Sequence, residues 1–530
     1  MKWLKENSIA VSVGLTFALG LLLIYIASGG NVGDFINYYY GGWFLNHGQF
    51  DKFVYEPYQF NLEIRKHYSG FFFGNFTPVP PITAWLFTPF ACLPISLAKI
   101  LFNLLSLGLF CYSLFSLLKH LQLKTVWLVL LPLVFLLPLK SNMVQGQLYL
   151  LLLTLLIQGF LFTEQHRKTA AAFCFGVAIA LKIFPAVVLL YLLLNKNYHV
   201  LLRTIACVAV FIFVPYLVTH SAFTLDYYTQ ILPRLMSGEI NDPWANAYQS
   251  MTVLLRQLFV YDPLLNTGTT LFNPALFKGL NTLFTLLFSL AFARLIYKAA
   301  NRWQQFALTL FLGVLISGYG SVYGLLLLIP LLIAFSEQKY GYVVLALLAG
   351  VAFSPFLPAG GYLLFKFARL CVLLLLAIGL IVQYDKKLLA LPVLFAVTIA
   401  LIYSAQKNSR ARQRLFDNVL ARQDNLLLFN YEHVADSLKL SYITPTGITE
   451  QSIAYDDTLI ADSLIELIDN EVYFNRHRLT YSGGRKLKPL LNTSKSEVLY
   501  LSDAGRGVGF YTVKRVRLNE QETILYPAGP

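Results

Sequence analysis

The chain has 530 residues, of which 57% are hydrophobic and 13% charged. A soluble domain carries about 25% charged residues, so most of this chain is not built for water. The net charge of +14 does not indicate nucleic acid, because the basic residues are scattered through short loops rather than gathered on one face; Lys and Arg retained in cytoplasmic loops account for the excess.

The first 404 residues are largely apolar runs of membrane length, since about 17–25 such residues span a bilayer as a helix. The opening stretch has Lys2 and Lys5, then an apolar run over 8–28 without a small-residue cleavage site. It reads as a first membrane helix starting in the cytoplasm, not as a removable signal. A polar, aromatic loop over 29–77 follows on the outer side, and then a proline-rich segment, 77–94, too short for an ordinary span. Further helices are expected near 95–118, 125–139, 146–162, 170–194 and 200–219. The basic turns at 119–124, 164–168 and 195–203 all favour the cytoplasm. That parity holds if 77–94 dips in and returns, and if 170–194 breaks at "KIFP", where Pro185 lacks an N–H and clashes with the preceding turn. Broken helices at membrane depth are tolerated where they line a cavity.

A second outer loop, 220–273, precedes helices near 273–297, 304–317, 322–335, 341–356, 362–383 and 388–404. The expected architecture is an all-α polytopic bundle of about 11–14 membrane helices over residues 1–404. The tail, 405–530, is richer in charge and reads as a small soluble α+β domain outside the membrane. Within it "TLIADSLIELIDNEVYF" has helical spacing, and "SEVLYLSDAGRGVGFYTVKRVRL" alternates about a Gly-containing turn like a hairpin. The cluster "KNSRARQR" at its start argues for the cytoplasm instead, although long domains translocate despite charge. The five cysteines, Cys92, Cys111, Cys174, Cys207 and Cys371, all lie in apolar runs and are expected to be buried free thiols.

Asp34 opens "GDFINYYYGGWFL", just past the first span. One reading makes it the N-cap of an interfacial helix, with Tyr38, Tyr39, Tyr40 and Trp43 seated at the membrane surface. The other makes it a general base at the mouth of a cavity, within reach of a hydroxyl proton. Lys182 lies inside an apolar helix, where an ammonium costs about 2.5–3.5 kcal/mol on insertion scales. It either snorkels to the interface or serves as a counter-charge at the Pro185 break. Arg256, in the second loop, is a solvated surface group or a second such counter-charge. Gln147, Asn246, Gln249 and Ser250 either cap helices and satisfy loops or hydrogen-bond a polyhydroxyl ligand.

An acid in the first outer loop, together with "FTPVPPITAWLFTPFACLP" (76–94), "QGQLYLLLLTLL" (145–156), "ALKIFPAVVLLYLLL" (180–194) and "NAYQSMTVLLRQL" (246–258), resembles glycosyltransferase family 87. That is the polyprenol-phosphate-mannose-dependent group of GT-C membrane glycosyltransferases. The resemblance implies a GT-C-like helical bundle in the cytoplasmic membrane, with its active site facing the periplasm or exterior. It implies an inverting transfer of a sugar, mannose by default, from a polyprenyl-phosphate donor to a cell-envelope glycan or lipid. Asp34 would be the catalytic base and Lys182 and Arg256 the donor-phosphate ligands. Gln147, Asn246, Gln249, Ser250 and Tyr319 would contact sugar or acceptor. No metal or cofactor is required, since no carboxylate cluster accompanies Asp34, and the partners are membrane lipids rather than nucleic acid. Family members often carry a histidine in the turn before the "LLLLIPLL" helix, where this chain has Tyr319, Ser321 and Tyr323. The rival class is a transporter or flippase of lipid-linked glycans, which uses the same broken helices.

Overall fold

The computed structural model describes residues 6–123, 126–219, 222–239, 243–245, 248–260, 266, 273–335, 348, 350–351, 367–407, 418–421 and 427–518. Helix α1 (Ser8–Ser28) has the expected bounds; its 21 residues extend about 31 Å, the thickness of a bilayer's hydrocarbon core. One stripe of small residues, Ser8, Ser12, Thr16 and Gly20, is buried, so the backbone can approach its neighbours as small-residue stripes allow in membranes. Leu22, Tyr25 and Ile26 on other faces are exposed, as a lipid-facing surface would be.

Helix α2 (Phe35–Asn46) follows Asp34, α3 (Pro57–Arg65) lies in the first polar loop, and α4 (Ile82–Phe87) is the short helix of the proline-rich segment. The aromatic run predicts a helix at the membrane surface; the structure instead buries Phe35 through Gly42 and Phe44. A Cβ on Gly42 would lie 2.7 Å from the Phe87 carbonyl carbon, so this glycine lets α2 press against α4 backbone to backbone, while Gly41 makes room for the Phe76 ring. Tyr38 stacks on Phe87 at 5.0 Å between ring centroids, and the Tyr39 hydroxyl donates to the Leu93 carbonyl. Trp43 alone of the four named aromatics is partly exposed, with the His47 ring 3.9 Å and the His67 ring 4.4 Å from its own.

Next come α5 (Ile95–His120), α6 (Leu136–Gln145), α7 (Tyr149–Glu164), α8 (Lys168–Leu181), α9 (Val188–Leu194) and α10 (Tyr198–Thr219). The expected 125–139 span is a bent element: Leu128–Val134 meets Leu136–Gln145 at 51°. The break at "KIFP" is present, because Lys182 is extended (φ −150°, ψ 129°) between α8 and the short turn that leads to α9. The second polar loop contributes α11 (Leu232–Met236) and α12 (Met251–Phe259). Then follow α13 (Pro274–Lys298), α14 (Arg302–Ile316), α15 (Ile329–Phe335), α16 (Ala368–Tyr384) and α17 (Ala390–Lys407). Among the described residues four helices are long and apolar enough to cross a membrane, five with the bent pair, and shorter apolar helices pack between them. The helix expected near 341–356 lies mostly outside the described residues.

The tail corrects the α+β reading: past the end of α17 at Lys407, its described residues, 418–421 and 427–518, form strands and turns, without a helix. Its strands are β1 (Asn418–Ala421), β2 (Leu427–Val434), β3 (Ser437–Ile443), β4 (Ile448–Ala454), β5 (Leu459–Ile460), β6 (Ile465–Ile468), β7 (Glu471–Phe474), β8 (His477–Arg478), β9 (Lys486–Asn492), β10 (Glu497–Ser502) and β11 (Thr512–Arg517). They make one sheet ordered β1-β11-β10-β9-β5 and two three-stranded sheets, β2-β3-β4 and β6-β7-β8. The segment with helical spacing is β5 (Leu459–Ile460), β6 (Ile465–Ile468) and β7 (Glu471–Phe474). Ile468 pairs with Glu471, leaving Asp469 and Asn470, both at positive φ, as a two-residue hairpin turn whose twist suits paired strands. The expected hairpin is β10 (Glu497–Ser502) with β11, antiparallel.

This β domain rests on both polar loops. Tyr58 of α3 packs into the domain's apolar cluster with Tyr431, Leu440, Leu501 and Tyr511. Glu56 pairs with Arg485 and accepts from the Tyr511 hydroxyl at 3.0 Å. Arg234 of α11 meets Asp503 at 3.0 Å. All five cysteines are free, but only Cys111 and Cys174 are buried; Cys207 and Cys371 are half-buried, and Cys92 is exposed, because it ends the turn 90–92 beside the exposed Asn46 amide.

Candidate active site

Asp34 occupies the N-cap position of α2, yet its side chain makes no capping bond. Its backbone N–H donates to Gln145 Oε1 at 3.1 Å, and its Oδ2 accepts from Gln147 Nε2 at 2.6 Å. The Tyr38 hydroxyl donates to Gln147 Oε1 at 2.7 Å, which orients the amide with its NH2 group toward the carboxylate. The "QGQ" of the sequence thus has a physical reason. Gly146 closes α6 in the left-handed conformation (φ 63°, ψ 41°), reversing the chain so that both flanking glutamines reach the Asp34 turn. A Cβ there would sit 2.6 Å from Phe35 Cβ, and an L side chain resists that backbone.

Two ammonium groups act on this carboxylate. Lys182 points from the α8 break, its Nζ 5.9 Å from the Tyr149 ring centroid, and its charge favours the ionised form of Asp34. Lys99 of α5 is buried; its Nζ donates to the carbonyls of Asn31 at 2.8 Å and Val144 at 2.6 Å. It thereby ties the approach to Asp34 to the end of α6, and its charge also favours ionised Asp34. Burial outweighs these effects: desolvation lifts the Asp34 carboxyl above its ordinary value, while the Gln147 hydrogen bond, Lys182 and Lys99 pull it back. The wall opposite is aromatic. Tyr149 stacks on Phe184 at 5.6 Å and meets Tyr323 at 5.0 Å, and it hydrogen-bonds Ser321.

The residues proposed from sequence therefore divide. Asp34, Gln147 and Lys182 come together. Arg256 does not join them: it is buried, donates to the Ser237 carbonyl at 2.7 Å and lies over the Phe277 and Trp244 rings. Ser250 caps α12 and donates to the Gly318 carbonyl at 2.8 Å. Gln249 Oε1 accepts from the Arg369 N–H, and the Tyr319 hydroxyl donates to the Leu235 carbonyl at 2.6 Å. These four brace the second polar loop. Asn246 lies outside the described residues. Lys99 and Tyr149 were missed; the signal for Lys99 was an ammonium early in an apolar helix, the same signal that singled out Lys182.

A separate cavity of about 710 Å³, lined by His120, Glu164, Arg302, Trp303 and others, opens at the other end of α5, about 30 Å along the helix from Lys99.

These features define the chain as an integral membrane helical protein whose Asp34 carboxylate feels the charges of Lys182, at a helix break, and Lys99. Residues 76–318 match the model of glycosyltransferase family 87, which bears out over that region the resemblance read from the motifs. The chain is also similar to the polyprenol-phosphate-mannose-dependent alpha-(1-2)-phosphatidylinositol mannoside mannosyltransferases of Mycolicibacterium smegmatis and Mycobacterium tuberculosis. Each is 32% identical over 148 residues, 25% of this chain. The match spans about a third of the relatives' own length, 33% and 34%. Asp34 and the β domain lie outside the family match. No solved structure matches the chain significantly.

Proposed function

We propose that the chain is an inverting, membrane-embedded glycosyltransferase. It moves a sugar, mannose by default, from a polyprenyl phosphate to a cell-envelope glycan or lipid on the extracytoplasmic side. The observation that carries this reading is the placement of Lys182: its ammonium stands where α8 breaks, over the Tyr149 ring, and acts on the Asp34 carboxylate. An ammonium set in an apolar helix marks a ligand or counter-charge site, and the phosphate of a lipid-linked sugar suits it. The family match and the names of the two relatives point to the same donor class.

In this mechanism Lys182, standing on the broken helix beside Tyr149, binds the donor phosphate and stabilises the charge that grows on it as the glycosidic C–O bond breaks. Asp34 takes the proton from the acceptor hydroxyl, whose oxygen attacks the anomeric carbon from the opposite face. Gln147, fixed by Tyr38, holds the carboxylate in place. Arg256, Gln249, Ser250 and Tyr319 support the second loop rather than contact the sugar.

The direct test supplies membranes containing the protein with a radiolabelled polyprenyl-phosphate sugar and, separately, a nucleotide sugar. Label should pass to a glycan or lipid product from the first donor only. Lipid donor that crosses the bilayer with its sugar intact would establish the transporter class instead.

A pH dependence follows. Asp34 must be ionised to act, and burial places its folded-state pKa above the ordinary value. Transfer should therefore fail, as pH drops, earlier than for an exposed aspartate. Gln147→Leu removes the hydrogen bond that favours the charged form, so the acidic limb of the kcat profile should move further up. A limb that stays in place would detach Gln147 from the base.

A further inference from the structure

We infer that the C-terminal β domain is a clamp that positions the wall of the active site, with Arg234 and Asp503 as its coupling residues. Asp503 is fully buried in the domain, and its two carboxylate oxygens accept from the Arg485 and Gly509 backbone N–H groups at 2.6 and 2.8 Å. Into this pre-set acceptor Arg234 projects from the membrane-side loop. Its Nη1 donates to both carboxylate oxygens at 3.1 and 3.0 Å, and its Nη2 donates to the Asp503 and Arg506 carbonyls at 3.2 and 3.3 Å. Its Nε donates to Glu239 at 2.7 Å. All three guanidinium nitrogens are engaged, which fixes the orientation of a planar group as a flexible ammonium would not.

The consequence is carried by the residues beside Arg234. The carbonyl of Leu235, the next residue in α11, accepts from the Tyr319 hydroxyl at 2.6 Å. Tyr319 begins the turn that holds Ser321, which hydrogen-bonds Tyr149, the ring beneath Lys182. The same turn is held from below, since Arg369 donates to the Gly320 carbonyl at 2.9 Å. Without the clamp, α11 keeps the Arg256 bond at Ser237 but loses the anchor that sets the Tyr319 turn. Arg234 and Asp503 are thus positioning residues, acting through Tyr319 and Tyr149, and they contact neither sugar nor phosphate. The catalytic part of this inference rests on the transferase reading; the mechanical part does not.

The test uses the full-length chain as Arg234→Gln, Asp503→Asn and the double variant. Two quantities are measured: transfer from a radiolabelled polyprenyl-phosphate sugar, and backbone hydrogen exchange. Each single variant should lower turnover roughly 2–30-fold and speed exchange in residues 232–239 and 317–320. The double variant should be no worse than the worse single one. Unchanged exchange in both segments, or losses that multiply in the double variant, would overturn the clamp. If Asp34→Asn abolishes transfer while Asp503→Asn matches the parent in rate and exchange, the clamp fails and the transferase reading stands. If the parent transfers no sugar but Asp503→Asn loosens residues 232–239, the clamp stands and the transferase reading fails.

Discussion

Asp34→Asn is expected to lower sugar transfer by about 10²–10⁴-fold, the range for loss of a positioned general base, while the protein stays folded. The substitution keeps the shape of the side chain and the acceptor that faces Gln147 Nε2, so donor binding should persist. The stability sign follows from linkage. A carboxyl whose folded-state pKa is raised contributes stability below its unfolded value, and that contribution is lost as pH rises through the folded one. Burial raises Asp34, so at neutral pH the ionised carboxylate costs stability that the neutral amide does not. The variant should accordingly melt no lower than the parent at neutral pH while transferring almost nothing. A variant that transfers normally removes Asp34 from the chemistry. One that loses activity only by unfolding makes it structural.

The second large effect is expected at Lys182. A hydrogen bond to a charged group contributes about 1.5–3 kcal/mol, so Lys182→Met should weaken use of the polyprenyl-phosphate donor roughly 10–150-fold in kcat/KM. It should also move the acidic limb of the profile upward, because the Lys182 charge favours ionised Asp34. The two readouts separate its roles: a phosphate ligand changes the donor dependence, whereas a simple counter-ion shifts the pH limb alone. Steady-state rates at varied donor concentration and pH distinguish them. An unchanged donor dependence would put the phosphate elsewhere.

Much of the membrane half was legible because its rules are local. The α1 bounds follow from one apolar run, and the break at Lys182 follows from Pro185. The polarity of that lysine singled it out before its neighbours were known. What stayed hidden depends on distant partners. Nothing near Tyr38 says that its hydroxyl goes to Gln147, 109 positions away, and an aromatic run fits an interface and a protein core equally well. Lys99 gave the same local signal as Lys182. Its importance comes from the carbonyls of Asn31 and Val144, which only the fold brings together. Arg256, Gln249, Ser250 and Tyr319 were correctly read as polar groups of one region. Their hydrogen bonds, however, go to backbone groups of the second loop, the 318 turn and Arg369, partners that only the fold brings to them. In the tail, apolar residues at 459–468 fit a helix as well as strands. The Asp469–Asn470 pair, a two-residue turn signal, was the feature that decides between them. The docking of the β domain was not readable at all, since it depends on Glu56, Arg234, Arg485 and Asp503 meeting across more than half the chain.

The most direct measurement is a structure of the full-length protein with polyprenyl phosphate bound. The phosphate is expected against Lys182 and beside Tyr149, in the same chamber as the Asp34 carboxylate, on the side where the β domain sits. A phosphate bound instead in the cavity lined by His120 and Arg302 at the far end of α5, with Asp34 sealed away from the lipid, would contradict it.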